Sequence, residues 1–210
     1  MATTQQRVVK HPPVTRRGGD DSTPSPSAGW TGTAVRLLFG AIWAVDATLK
    51  WLPAYRHSYI KQLKEAAEGQ PSWLHGWFHF WITLQAKAPS LFATLTGIAE
   101  TGLAIVLIFG VARRLGYTLG VIYSLLIWAV GEGFGGPYEA GATDVGAGIV
   151  YALLFGVLLV FAPPARRERL GLDHLLVARW RWWRKIAEPH AVDRVPGAPV
   201  IEPVVVGRHE

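Results

Sequence analysis

At 210 residues the chain has room for one modest domain with tails. Half of its residues are apolar and only 17% are charged, against about 25% in a typical soluble domain, which favours a bilayer over water as the main solvent. The formal charge of +6 does not make a nucleic-acid face, because most of the 21 Lys and Arg bracket apolar runs, and the absence of cysteine excludes disulfides, thiol redox catalysis and thiolate metal sites.

Residues 1–28, rich in Thr, Ser, Pro and Arg, have no apolar core of signal-peptide type and read as a disordered cytoplasmic tail. A first membrane span is expected over 33–53, closed by Pro53. Asp46 and Lys50 lie four apart within it, on one helix face, with the acid on the favoured N-terminal side. Residues 54–90 read as an extracytoplasmic helical section. An amphipathic helix over 54–68 carries Tyr55, Tyr59, Ile60 and Leu63 on one side. Gly69-Gln70-Pro71 breaks the chain, and Trp73, Trp77 and Trp81 then recur every turn, as in an interfacial helix.

The second span, 91–112, holds a single charge, Glu100. Arg113-Arg114 form a short basic turn, and the third span, 115–131, ends in the Gly-rich stretch from Gly131 to Pro137. The fourth span, 145–162, is expected to start from a Thr143-Asp144 cap. Residues 164–187 read as a cytoplasmic amphipathic basic helix, its Leu172, Leu175, Leu176, Trp180 and Trp183 facing lipid and its Arg and Lys meeting phosphates. Residues 188–210, rich in Pro and Val, read as a loose tail.

With four spans the basic clusters before span one, at Arg113-Arg114 and after span four fall on one side, which places both termini in the cytoplasm of a bacterial inner membrane. Gly116 and Gly120, and Gly148, Ala152 and Gly156, recur at the spacing that lets helix backbones approach closely. The expected fold is an all-α, integral membrane four-helix bundle with no internal repeat.

Ionisable groups inside spans are costly and call for a reason. Asp46, Lys50, Glu100, Glu132 and Asp144 all fall toward the outer side, from all four spans. One reading is an outward polar pocket in which Glu100, Asp46 and Glu132 handle protons while Lys50, Asp144 and Arg36 bind substrate. The other is a salt-bridged plug, Asp46–Lys50–Glu100, that fixes helix register. Capping alone explains Asp144. No metal site is expected. His75 and His79 share a helix face and are the candidates nearest to ligand spacing, but only His57 offers a third ligand, and an aromatic belt with polar handles accounts for them as well.

The stretch from Arg36 to Ala162 resembles the DoxX/DoxD family of four-span membrane proteins of bacteria and archaea. The resemblance rests on Arg36-Leu-Leu-Phe-Gly40 leading to Lys50, Gly69-Gln-Pro71, and Ala99-Glu100-Thr-Gly102-Leu followed by Phe109-Gly110 and Arg113-Arg114. The loop Gly131-Glu-Gly-Phe-Gly-Gly136 with Ala142-Thr-Asp144 is similar to the DoxD-like end of the family. Asp46, where the family has small residues, is a departure that leaves the role of the Lys open. The resemblance implies a subunit linked to quinone or quinol electron transfer, of the kind found in thiosulfate:quinone oxidoreductase, with quinone as cofactor and partner subunits of a membrane redox complex. No covalent cofactor motif is present. Four acids on one side suit a quinone better than a dianion such as thiosulfate. The alternative is a non-catalytic subunit that stabilises a larger respiratory complex. A carrier is disfavoured, since no span is broken midway by Pro and no inverted repeat is visible.

Overall fold

A computed structural model of the chain describes residues 26–137, 145–162 and 170–187. These residues form helices α1 (Pro26–Lys50), α2 (Pro53–Ala67), α3 (His75–Ala86), α4 (Pro89–Phe109), α5 (Arg113–Leu126), α6 (Ala147–Phe161), α7 (Asp173–Arg179) and α8 (Arg184–Ala187), with no strand among them. A π-helical turn, Ile127–Gly131, extends α5, and 3-10 turns cover Ser72–Leu74, Gly133–Gly135 and Arg181–Trp183. The expected tails over 1–25 and 188–210 lie outside the described residues, as do Asp144 and the 163–169 junction. Residues 26–28, expected as tail, already belong to α1.

Three helical stretches are long and apolar enough to cross a membrane: Gly32–Lys50, Pro89–Phe109 and Arg113–Gly131. The expected fourth span is shorter than the sequence suggests. Its helix starts at Ala147 behind Gly146 and covers 15 residues, about 22 Å against the roughly 30 Å of a hydrocarbon core. The long helices share a further property. Val35, Leu38, Ile42, Val45 and Leu49 form an exposed apolar stripe along α1, and Leu91, Leu95, Ile98, Ile105 and Phe109 do the same along α4. Stripes of this length suit lipid rather than water.

Helix α1 packs along α4, and α5 along α6, while the two pairs touch each other more sparingly. Phe39, Trp43, Leu103, Leu107, Tyr117 and Phe155 fill the space where the pairs do meet. Small residues set the close approaches, as their spacing predicts. A Cβ at Gly120 would stand 2.6 Å from the Phe155 ring, and one at Gly148 only 2.8 Å from the Ser124 carbonyl oxygen. Gly156, the last member of the expected ladder, has nothing within 4 Å and takes no part.

At the end where α4 turns into α5, polar groups are buried in number. The Arg36 guanidinium donates to the carbonyls of Leu107 and Ile108, the last turn of α4, and to Leu170. A cation on the exposed C-terminal carbonyls of a helix is favourably placed. Gly110 makes room for it. Its φ is +58°, and a side chain there would meet the Gly171 backbone at 2.9 Å and the Arg36 guanidinium at 3.2 Å. The Asp173 carboxylate accepts from the backbone N–H groups of Ala112 and Arg113, capping α5, and also from Arg113 Nε and Trp183 Nε1.

The segment after 170 therefore departs from its expected form. One lipid-facing helix is replaced by α7, a 3-10 turn and α8, with extended backbone at Trp180. Trp183 is turned inward by its bond to Asp173, while Trp180 and Trp182 stay exposed.

At the opposite end, α2 and α3 lie over the start of α4 and the π-helical turn. Gln70, in the Gly-Gln-Pro break, is buried, and its amide donates to the carbonyls of Ala66 and Gly133. The Gly-rich loop is thereby latched to α2, and Phe134 (φ +60°) turns its ring against Trp77, Phe78 and Trp128. Gly133 has φ +57°, and a Cβ there would stand 2.3 Å from the Ala66 carbonyl oxygen. Gly133→Ala is expected to destabilise the fold by about 2–4 kcal/mol, combining left-handed backbone strain with overpacking against backbone. Denaturant titration in detergent checks this, and an unchanged midpoint would contradict the latch.

Candidate functional site

A cavity of about 770 Å³ lies between the α1–α4 pair and the α5–α6 pair, roofed by α2 and α3. Volumes of about 300–1,000 Å³ are usual for sites that enclose a small organic ligand.

Lys50 stands at the polar centre. Its Nζ is 2.9 Å from Asp46 Oδ1, one helical turn back, and 3.7 Å from Glu100 Oε2 on α4. It also lies 5.2 Å from the centre of the Tyr55 ring, within cation–π range. Glu100 is 1% exposed. It faces the cavity because its helical phase places it on the buried side of α4 with Gly97, Ala93 and Leu103. Its Oε1 accepts from the Tyr123 hydroxyl at 3.2 Å. Oε2 receives no hydrogen bond among the described residues and meets only the ammonium of Lys50. A carboxylate so placed is partly rather than fully satisfied, which is uncommon for a buried charge.

Four tyrosines line the same cavity: Tyr55 and Tyr59 from α2, Tyr123 from α5 and Tyr151 from α6. Burial pushes the Tyr55 and Tyr59 hydroxyls above their ordinary pKa, so both stay protonated donors. Tyr59 donates to the Gln85 side-chain oxygen. Trp81 also lines the cavity, and its indole N–H is buried without a hydrogen-bond partner among the described residues. Leu63, Phe92, Leu95, Ile98, Leu126 and Val130 supply an apolar wall, to which Gln62 and Thr96 add polar groups.

Four of the six expected catalytic and substrate-binding residues meet here: Asp46, Lys50, Glu100 and Glu132. Glu132 has a structural duty as well, since its Oε2 accepts the Gly148 N–H at 2.8 Å and so caps α6. The residue ahead of α6 is Gly146, and the expected cap at Thr143-Asp144 lies outside the described residues. Arg36 does not join the cavity. It is fully occupied with carbonyl oxygens at the other end of α1, a role that its place in a basic flank did not reveal. His75 and His79 are exposed on α3, with His75 Nε2 3.1 Å from the Gln70 carbonyl. No group of three His, Cys, Asp or Glu among the described residues is placed to hold a metal.

No family model, curated protein or solved structure matches the chain. The tyrosines, Gln85 and Trp81 were not expected in the cavity. Tyr123 and Tyr151 left a signal, being the polar aromatics within otherwise apolar runs, but which way they face depends on how the two helix pairs meet.

Proposed function

We propose that the chain is a four-span, DoxX/DoxD-like protein of a bacterial inner membrane, both termini cytoplasmic, whose cavity receives the head of a quinone or quinol. The observation that carries this reading is the Lys50–Glu100 pair, its carboxylate buried, facing a largely apolar cavity that four tyrosines line. Reducing a quinone takes two electrons and two protons, and leaves negative charge on oxygen until the protons arrive. Lys50 suits that oxygen as a point charge. Glu100 suits the proton transfer, with Tyr123 fixing its orientation and Asp46 continuing the polar path through Lys50. The electrons come from a donor on a partner subunit of a membrane redox complex. In this reading α6 completes the fourth span together with its flanking residues, and the basic clusters lie on the inner side.

Titration of the detergent-purified chain with a short-chain benzoquinone tests the site directly. Saturable binding is expected, with Lys50→Met weakening it about tenfold, the usual scale for one charged hydrogen bond. No saturable binding to the wild type would remove the proposal.

A second reading has its own support. Glu132 is engaged as a helix cap, Asp46 and Lys50 are paired, and the stacked Trp180 and Trp182 are exposed on a basic segment. These fit a non-catalytic subunit that stabilises a larger respiratory complex. Co-purification with respiratory subunits, together with no quinone binding by the isolated chain, favours that role.

A further inference from the structure

Residues 170–187 are held at the end of an apolar stretch by their own backbone. The Leu172 N–H donates to the Phe109 carbonyl at 2.8 Å, and the Asp173 N–H to that of Gly110 at 3.1 Å. Phe109 is the last residue of the apolar helix Pro89–Phe109. With that helix across a bilayer, α7, α8 and the turn between them lie where hydrocarbon gives way to headgroups.

The exposed charges at this level have one sign. Arg179, Arg181 and Lys185 are exposed and make no ion pair among the described residues, and Arg114 is exposed on the first turn of α5. Asp173 is the one acid in residues 170–187, and it is buried against Arg113. The other carboxylates among the described residues line the cavity, as Asp46, Glu100 and Glu132 do, or belong to α2 and its end, as Glu65 and Glu68 do.

The rings set among these cations are not those of a single flat helix. Helical periodicity turns Trp180 and Trp183 toward lipid. In the fold, Trp183 Nε1 is bonded to Asp173, and Trp182 takes the outer place beside Trp180. Trp180 and Trp182 are 45% and 59% exposed and stack with centroids 6.4 Å apart, while Trp182 also meets Trp183 edge-on at 5.4 Å. Leu172 and Leu175 are exposed on the same segment. Indole rings favour the headgroup level of a bilayer, and cations held there gain from anionic lipid. An acidic protein face would satisfy the cations but would offer no acyl chains to the two leucines.

We propose that Arg179, Arg181 and Lys185, with Trp180 and Trp182 interleaved, bind the headgroups of anionic phospholipid in the leaflet at this end. Trp182 rests on Trp183, and Trp183 on the Asp173 carboxylate that caps α5, so bound lipid stabilises the junction of α4 and α5. The surface requires only that the long helices cross a bilayer, whatever the cavity holds.

The full chain in uncharged detergent, titrated with dioctanoyl phosphatidylglycerol and read by its thermal midpoint, tests this. The midpoint is expected to rise saturably with that lipid and to stay unchanged with dioctanoyl phosphatidylcholine or inorganic phosphate. Arg179→Gln, Arg181→Gln and Lys185→Gln combined are expected to weaken the apparent affinity about a hundredfold, at about fivefold per cation. Their lipid-free midpoint is expected to hold, because all three side chains are exposed. Trp182→Ala is expected to weaken lipid binding and keep the lipid-free midpoint, whereas Trp183→Ala lowers that midpoint itself. An equal rise with phosphatidylcholine, a rise reproduced by inorganic phosphate, or a triple variant that responds like the wild type overturns the surface. So does a wild type that ignores phosphatidylglycerol; an acidic subunit that then co-purifies with it, and is lost from the triple variant, identifies a protein as the occupant.

Discussion

Asp173→Ala is expected to cost about 3–5 kcal/mol of stability, the range for removing one partner of a buried ion pair. The carboxylate is 1% exposed, and all of its partners come from other parts of the fold or from the far end of its own segment. Two backbone N–H groups at the start of α5 donate to it, at 2.7 and 3.1 Å. Arg113 Nε donates at 3.2 Å from a fully buried guanidinium, and Trp183 Nε1 at 2.8 Å. The alanine variant removes a helix cap, strands a buried cation from its carboxylate and releases Trp183 together. Asp173→Asn keeps one acceptor oxygen and no charge, so it is expected to fall between alanine and wild type. Denaturant unfolding in detergent, followed by Trp fluorescence, reads both variants. A loss below about 1 kcal/mol for alanine, the level of an ordinary exposed pair, would show that the tail segment does not bear on the fold.

Glu100→Gln is expected to lower quinone turnover by about 10²–10⁴-fold, the usual contribution of a positioned general acid or base. Glutamine keeps the shape of the side chain and an oxygen for the Tyr123 hydroxyl. It cannot exchange a proton, and it no longer attracts the Lys50 ammonium. Lys50 retains Asp46 at 2.9 Å, so the cavity is expected to stay closed around the same polar centre. Binding of the short-chain quinone is accordingly expected to change by no more than about threefold. Turnover with candidate donors and a quinone acceptor, run beside the binding titration, separates the two effects. Wild-type turnover that survives the exchange would take Glu100 out of the proton path. The turnover assay is run in native membranes, where the partner subunit that carries the electron donor is present.

Much of this architecture is legible in the amino-acid order, because local geometry writes itself into periodicity. The apolar runs that became α1, α4 and α5, the break at Gly69-Gln70-Pro71, and the irregular stretch after Gly131 are all readable residue by residue. So is the Asp46–Lys50 pair, since a four-residue separation fixes a shared face once the helix is granted. Glu100 stands out as the single charge in its run. Partner choice across the fold is another matter. Asp173 lies 60 residues from Arg113, and Arg36 lies 71 from Leu107. No local pattern links residues so far apart, and positive charges that flank apolar runs already have a sufficient topological explanation. The same gap hides the second duty of Glu132, whose acceptor role toward α6 depends on where the Gly-rich loop returns. It also hides the break at Trp180, where the inward bond of Trp183 outweighs the helical periodicity of the surrounding Leu and Arg.

The Arg36 clamp also orders events in time. Ribosomes deliver a chain from its first residue onward at about 5–20 residues per second. The carbonyls of Leu107 and Ile108 therefore do not exist when Arg36 is made, and that of Leu170 follows 134 residues after it. The earliest helix is thus fastened first by groups made halfway along the chain and last by the Leu170 carbonyl. Final closure of this end waits on translation of the tail segment, so a ribosome stalled ahead of Leu170 leaves every helix of the core made but the clamp one oxygen short.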